Sequence, residues 1–158
     1  MLIQLPVLWL VVADILAWLV IHLGMAWLGT RLPGSFFFPH SWLFRPHPWE
    51  GKGKIYETLF RIKTWKKWLP DGAVLFAGGF PKARLLNRDR EYVELFIRET
   101  CRGEAVHWGV MLAAPLFFLW NPAYVGLIMI VYAVLANLPC ILAQRYNRIR
   151  MARLTRRL

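Results

Sequence analysis

Two ionisable side chains one helical turn apart are the residues of this chain best suited to chemistry. Glu104 and His107 lie on a helix predicted to start near Arg88, and their spacing places them on one face of it. An imidazole that is oriented by a carboxylate is the usual general base for removing a hydroxyl proton. We therefore predict that His107 is a catalytic base and that Glu104 orients it. The alternative is a pair that only stabilises the helix where it enters lipid.

Other catalytic chemistries have weaker support in the residues. One Glu-x-x-His motif supplies two metal ligands, and helical metal sites need ligands from several helices, so we expect no metal. Cys101 lies off the Glu104/His107 face and is expected to pack as a small apolar residue. No nucleotide or nucleic-acid motif is present, and we expect no nucleic-acid partner.

A second polar group lies towards the end of the chain. Asn137 interrupts an apolar run, and Arg145 and Arg148 follow that run. Guanidinium groups bind phosphates and carbonyl oxyanions through charge-assisted hydrogen bonds. We predict that Arg145, Arg148 or Asn137 stabilises an oxyanion near His107. The alternative for the two arginines is anchoring at the membrane surface.

The composition indicates which elements must hold these residues. Hydrophobic residues make up 58% of the 158 residues and charged residues 18%, with a net charge of +11. Such a chain is too apolar to be disordered, and two cysteines cannot staple a secreted scaffold. The mean hydropathy of +0.39 points to a small integral membrane protein.

Three apolar runs, 3–28, 105–120 and 123–143, are the predicted membrane spans. Only Asn121-Pro122 separates the last two, which predicts an antiparallel helical hairpin. The fold class is therefore all-α, a single membrane domain over 1–158 with about three transmembrane helices. Asp14 and His22 lie in the first run, and we expect them to be structural, with Asp14 either paired to the hairpin or near water.

The distribution of cations predicts the topology. No Lys or Arg precedes Arg31, and none lies in the 121–122 turn. Because Lys and Arg mark the cytoplasmic side, we expect a multi-pass protein of the cell membrane with its N-terminus outside and its C-terminus inside. The segment 34–104 would be cytoplasmic and interfacial, with an aromatic stretch over 34–49 and a basic amphipathic helix over 54–69. Residues 144–158 would form a basic tail.

Several strings of residues together resemble one family, the glycosyl-diaponeurosporenoate acyltransferases. The resemblance extends over roughly 24–150 and is most specific in two strings, Glu104-x-x-His107-Trp108 and Gln144-Arg145-Tyr146-Asn147-Arg148. The other matching strings are Gly29-Thr30-Arg31-Leu32-Pro33, Trp65-Lys66, Asp71-Gly72, Glu99-Thr100-x-Arg102 and Ala136-Asn137-x-Pro139.

The resemblance implies acyl transfer from an activated fatty acid to a glucose hydroxyl on a carotenoid, at the cytoplasmic membrane. No cofactor is expected beyond acyl-CoA or another acyl thioester as co-substrate. The expected partners are membrane lipids, the acyl donor and a glycosylated carotenoid or glycolipid. The expected substrate-binding residues are Arg102, Trp108, Gln144, Tyr146, Asn147 and Arg148, with Lys63, Lys66, Lys67 and Lys82 for the donor phosphates.

Three other functions are compatible with the same residues. The nearest is an acyltransferase for another lipid, such as a lysophospholipid or a glycerolipid. A non-catalytic membrane module would use only the basic residues. A proton-coupled carrier would use Asp14, Glu104 and His107, and three spans could line a pathway only in an oligomer.

Overall fold

The computed structural model describes residues 6–69, 80, 86–87 and 89–155, and every regular element in these ranges is helical. The α-helices are α1 (Val7–Arg31), α2 (Lys54–Thr58), α3 (Ile62–Trp65), α4 (Arg90–Ala113) and α5 (Ala123–Thr155). Short 3₁₀ segments occur at Gly34–Phe36, Pro48–Gly53, Lys66–Trp68 and Ala114–Leu119. The predicted all-α fold is confirmed for the residues described.

Two helices, α1 and α5, are long and apolar enough to cross a bilayer. Their most apolar 18-residue windows have mean hydropathies of 2.2 and 2.4. Most of their side chains are not buried within the protein; Val7, for example, is 78% exposed. Apolar side chains that face outward along a long helix suit contact with lipid, so these helices suggest membrane association. The count of three spans and the orientation stay predictions.

The predicted second span, 105–120, consists of the end of α4 and a 3₁₀ segment. The α-helix ends at Ala113, and Pro115 is near the start of the 3₁₀ segment Ala114–Leu119. Proline has no N–H to donate and clashes with the carbonyl four residues earlier, so it ends regular α-helix. The first half of α4 is also charged, and α4 is not one of the two helices with enough hydropathy to span.

Polar contacts fix the turn between α4 and α5 to the first helix. The carboxylate of Asp14 on α1 is buried and accepts hydrogen bonds from Trp120 Nε1 at 2.8 Å and Asn121 Nδ2 at 2.7 Å. These two donors offset the cost of burying the carboxylate. Asp14 therefore pairs with the hairpin, which is one of the two placements expected from the sequence.

Small residues allow α1 and α4 to approach closely. A Cβ at Gly29 of α1 would lie 2.5 Å from Val106, and a Cβ at Gly109 of α4 would lie 2.0 Å from Met25 Cε. Neither distance is possible for real atoms. A larger residue at Gly29 would meet the stiff side chain of Val106 and push the helices apart, whereas one at Gly109 would displace the flexible end of Met25. The closeness of the helices forms an apolar core around Trp18, where α1 meets the α4–α5 hairpin.

The prediction of one amphipathic helix over 54–69 is wrong. The backbone is left-handed at Arg61, with φ 46°, and this residue separates α2 from α3. Tyr56 and Ile62 are completely buried in a cluster that includes Tyr146 of α5. Packing against α5 therefore decides the conformation of this segment, because short helices have little stability of their own.

The aromatic stretch 34–49 is divided between the core and the surface. Phe37 and Phe44 are buried beside Cys101 of α4. The other aromatic residues of the stretch are exposed, as expected for side chains at a membrane boundary: Phe36, Phe38, Trp42 and Trp49.

Candidate active site

The helix α4 presents both predicted catalytic residues to α5. It begins at Arg90, close to the predicted start near Arg88. Glu104 is completely buried, and His107 is half-buried one turn further along. Each of the two side chains has a hydrogen-bond partner on α5, so the shared face predicted from their spacing is the face that packs against α5.

The ring of His107 is held by Asn137. His107 Nδ1 donates a hydrogen bond to Asn137 Oδ1, with the nitrogen and oxygen 2.8 Å apart. The amide of Asn137 is itself fixed, because its Nδ2 donates to the carbonyl oxygen of Ala133 at 2.9 Å. With the amide oxygen facing the ring, Nδ1 carries the hydrogen and the lone pair of the neutral imidazole is on Nε2. We call these two residues the His107–Asn137 pair.

Four charged side chains form a buried ion cluster: Glu50, Glu104, Arg145 and Arg148. Arg145 Nη1 lies 2.8 Å from Glu104 Oε1, and Arg145 Nε lies 2.9 Å from Glu50 Oε1. Arg148 Nη2 donates to the second oxygen of Glu104. Trp108 Nε1 adds a longer hydrogen bond, of 3.3 Å, to Glu104 Oε1. The cluster contains two acids and two arginines, so its formal charges cancel.

Arg145 is the centre of this cluster. Besides the two carboxylates, it donates to the backbone carbonyls of Leu43, at 2.8 Å, and Arg45, at 3.2 Å. It therefore connects α5 both to α4 and to the segment before α2. Removing one partner of such a buried pair leaves an uncompensated charge, which typically costs about 3–5 kcal/mol. The first role of Arg145 in this structure is to hold these elements together.

Glu50 was not predicted from the sequence, although the sequence held a signal for it. It is the only acidic residue between Asp14 and Glu57, and it follows a run of prolines and aromatics. Burial would raise the pKa of its carboxyl group, but hydrogen bonds from Arg145, Tyr56 and the backbone N–H of His47 bring the pKa below its usual value. Glu50 is therefore ionised in the folded protein.

Arg102 and Gln144 are two further residues predicted to bind substrate. In the structure, both contact residues of α4. Arg102 Nη2 lies 3.2 Å from a carboxylate oxygen of Glu99 on the same helix. Gln144 packs against α4 so closely that a Cβ at Gly103 would lie 3.0 Å from its Nε2. Their role in substrate binding stays a prediction.

Two of the lysines predicted to bind donor phosphates, Lys63 and Lys66, have partners in α2 and α5. Lys63 Nζ lies 2.8 Å from Glu57, which also accepts a hydrogen bond from Tyr146 Oη at 2.7 Å. Lys66 Nζ donates to Asn147 Oδ1 at 2.8 Å. These contacts join Tyr146 and Asn147 to the segment 54–69, on a different side of α5 from Asn137.

Lys66 and Lys67 differ in how far they are buried. Burial lowers the pKa of Lys66, and the nearby charge of Arg150 lowers it further. Lys67 is exposed, and its Nζ lies 5.3 Å from the ring centre of Trp68. Lys82 lies outside the described residues.

Cys101 is placed poorly for nucleophilic catalysis. It is completely buried, and burial raises the pKa of its thiol to about 11. Only a thiolate is a good nucleophile, so a thiol with such a pKa is almost fully protonated at neutral pH. Within the described residues, no three His, Cys, Asp or Glu side chains are grouped so that they could hold a metal ion.

Comparisons with known proteins cover nearly the whole chain. A family described as glycosyl-4,4'-diaponeurosporenoate acyltransferase matches residues 39–157. Proteins with that name from Staphylococcus aureus strains bovine RF122 / ET3-1, USA300 and NCTC 8325 are each 35% identical over 139 residues, which is 88% of this chain and 84% of each relative. No solved structure matches the chain. The family match includes every member of the His107–Asn137 pair and of the buried ion cluster.

Proposed function

Because the chain belongs to the glycosyl-4,4'-diaponeurosporenoate acyltransferase family, we propose that this acyltransferase esterifies a sugar hydroxyl of a glycosylated carotenoid with a fatty acyl group. The donor is an activated fatty acid, acyl-CoA or another acyl thioester, and the reaction takes place at the cytoplasmic membrane. The observation that carries the proposal is the hydrogen bond from His107 Nδ1 to Asn137, because it leaves Nε2 as the basic nitrogen of a half-buried ring.

The proposed reaction is direct transfer with His107 as general base. Nε2 takes the proton of the sugar hydroxyl as the oxygen attacks the thioester carbonyl carbon. The tetrahedral intermediate then collapses, the carbon–sulfur bond breaks, and the imidazolium returns its proton to the leaving thiolate. The protonated state of Cys101 supports direct transfer over an acyl-cysteine intermediate.

The oxyanion of that intermediate needs a nearby hydrogen-bond donor, whose removal costs roughly 3–4 kcal/mol in well-studied enzymes. Arg145 and Arg148 remain our candidates because both contact Glu104, one turn from His107. Both guanidinium groups also neutralise buried carboxylates. An arginine variant therefore identifies an oxyanion donor only if it loses activity while its thermal stability stays that of the wild type.

The acyl donor is the part of the proposal with the most direct test. Lys63 and Lys66 already have protein partners, so a phosphate would have to compete with Glu57 and Asn147 for them. Lys67 is exposed and has no carboxylate partner among the described residues. If it binds the phosphates of acyl-CoA, Lys67→Gln raises KM for acyl-CoA and leaves kcat unchanged; an unchanged KM excludes it.

The central experiment gives the purified full chain, in detergent micelles, an acyl-CoA and a glycosylated carotenoid, and looks for the ester by mass spectrometry. A simple glycolipid in place of the carotenoid tests the acceptor. We expect ester with the carotenoid glycoside and a loss of activity in His107→Ala. His40→Ala is the matched control, because His40 is exposed and its described contact is with the ring of Phe38.

Two results would contradict the proposal at different points. Ester formation by His107→Ala at the wild-type rate removes the mechanism but keeps the function. Acylation of the glycolipid and not of the carotenoid glycoside keeps an acyltransferase and replaces its acceptor.

A further inference from the structure

Two cavities lie along the same stretch of α5 and are not used by the proposed reaction. The first, which we call the basic cleft, has a volume of about 320 Å³ and is lined by the cations Lys52, Lys54, Arg150 and Arg153. The second, the apolar groove, has a volume of about 260 Å³ and is lined by Phe60, Trp65, Leu135, Leu138 and Leu142, with Val134 and Pro139.

The basic cleft has an excess of positive charge. All four of its cations are exposed, and within the described residues none of them forms an ion pair. The cleft has one carboxylate, Glu57, which is already paired with Lys63. Positive charges therefore outnumber the one paired carboxylate around this cavity, and an anion bound in it would reduce the repulsion among the four cations.

The two cavities are arranged along one face of α5. Leu135, Leu138 and Leu142 in the groove continue to Ile149 and Arg153 in the cleft, at spacings that are sums of three and four residues. From Leu138 to Arg153 the helix rises about 22 Å, which is about half the roughly 40–45 Å thickness of a bilayer with its headgroups. A phospholipid whose phosphate lies in the basic cleft is therefore long enough to reach the near end of the apolar groove with an acyl chain.

This face is directed away from the His107–Asn137 pair. With about 100° of rotation per residue, the groove and cleft residues lie mostly 100–160° around the helix from Asn137. A ligand in these cavities is thus separated from the proposed catalytic base by α5 itself. That position disfavours the acyl donor as the occupant, because its thioester has to reach His107.

We propose that this face of α5 binds an anionic membrane phospholipid, with its phosphate in the basic cleft and an acyl chain in the apolar groove. The cations select the charge of the headgroup, and the groove provides apolar contact for the chain. Each cavity has one wall on α5 and one on the segment 51–65. The second wall is formed by Lys52, Lys54 and Glu57 at the cleft and by Phe60 and Trp65 at the groove. A bound lipid would therefore join the segment 51–65 to α5.

Native mass spectrometry of the full chain in detergent tests this proposal. The protein is titrated with phosphatidylglycerol and, separately, with phosphatidylcholine of the same acyl chains. We expect phosphatidylglycerol to bind at least about tenfold more tightly, because cations near anionic headgroups each contribute measurably to binding. Equal binding of the two lipids would overturn the proposal.

Charge-matched variants locate the site. Arg150→Gln/Arg153→Gln is expected to weaken phosphatidylglycerol binding roughly tenfold or more. Arg90→Gln/Arg98→Gln removes the same net charge from exposed positions on α4 and is expected to leave binding unchanged. If the first variant does not fold, Lys52→Gln/Lys54→Gln replaces it. If the α4 control weakens phosphatidylglycerol binding equally, the effect is one of net charge, and the proposal of a specific lipid site is refuted.

A competition experiment distinguishes the lipid from soluble phosphates. Coenzyme A and inorganic phosphate are added separately to the phosphatidylglycerol complex. Neither is expected to displace the lipid at equal concentration, since neither has a chain for the groove. Displacement by coenzyme A would assign the basic cleft to the acyl donor, and displacement by phosphate would show that the groove contributes nothing; either result overturns the proposal.

Discussion

The interface between α4 and α5 holds polar groups in two different ways along its length. In the buried ion cluster, the charges of Glu104 and Arg145 cancel inside the protein, and both residues are almost inaccessible. In the His107–Asn137 pair, a hydrogen bond to an amide oxygen holds a half-buried ring. A cancelled pair of charges is costly to disturb, whereas a neutral imidazole can gain and lose a proton near pH 7. The comparison indicates that the cluster holds the interface, and our proposal assigns the chemistry to the pair.

The largest expected effect is on the cluster. Glu104→Gln leaves Arg145 and Arg148 buried without their shared carboxylate, and we expect a loss of about 3–5 kcal/mol of folding stability. Thermal unfolding in detergent measures this loss. Glu94→Gln, which breaks an exposed pair with Arg90, is the control and should cost less than about 0.5 kcal/mol. If Glu104→Gln has wild-type stability but no activity, Glu104 has a catalytic role and the structural role that we assign to the cluster is wrong.

The next effect separates chemistry from stability. His107→Ala is expected to lower kcat by about 10²–10⁴-fold, the usual contribution of a general base. Thermal stability should change little, because His107 lies at the half-buried end of the interface. An unfolded His107→Ala protein would show that the pair also holds the interface, and the distinction between the two regions would then fail.

A smaller effect is expected from the residue that orients the base. Asn137→Ala removes the acceptor for His107 Nδ1, and we expect a fall in kcat of about tenfold to a hundredfold, since misplaced catalytic groups lose rate of this order. The pH–rate profile should also shift, because the bond that fixes the tautomer is lost. His40→Ala is again the control, since His40 is exposed and its described contact is with the ring of Phe38. An unchanged pH–rate profile would leave Asn137 with a packing role only.

The smallest effect concerns Glu50 and the dependence of folding stability on pH. The pKa of Glu50 is lower in the folded protein than its ordinary value of 4.5, so its ionised form stabilises the fold. This contribution is complete above pH 4.5 and is lost as the pH falls through the lower pKa of the folded state. Arg145 keeps Glu104 as a partner in Glu50→Gln, so this loss should be smaller than that of Glu104→Gln. Wild type should therefore melt above Glu50→Gln at pH 7, and the gap in melting temperature should narrow below pH 4.5. A gap that is constant with pH would contradict an ionised Glu50.

The catalytic hypothesis could be drawn from local spacing because α4 is one continuous helix. Glu104 and His107 share a face in any regular α-helix, so three positions of separation were enough to group them. The partner of His107 could not be found in this way. The carboxylate one turn earlier was the expected partner, but Nδ1 bonds to Asn137, thirty positions later, and the carboxylate is held by the two arginines of α5.

Apolar runs and the Asn121-Pro122 turn were sufficient to predict an all-helical protein with long apolar helices, because burial of the backbone in lipid depends on composition and length alone. Packing decided three further features: the break at Arg61, the use of Glu50 as a buried anion, and the division of α5 into a face that contacts His107 and a face with two cavities. These features depend on residues that are far apart in the chain, as Lys66 and Asn147 are 81 positions apart and Glu50 and Arg145 are 95 positions apart. The local sequence pattern does not show which distant residues will be in contact. The cost of burying an unpaired charge favours folds in which buried charges are paired.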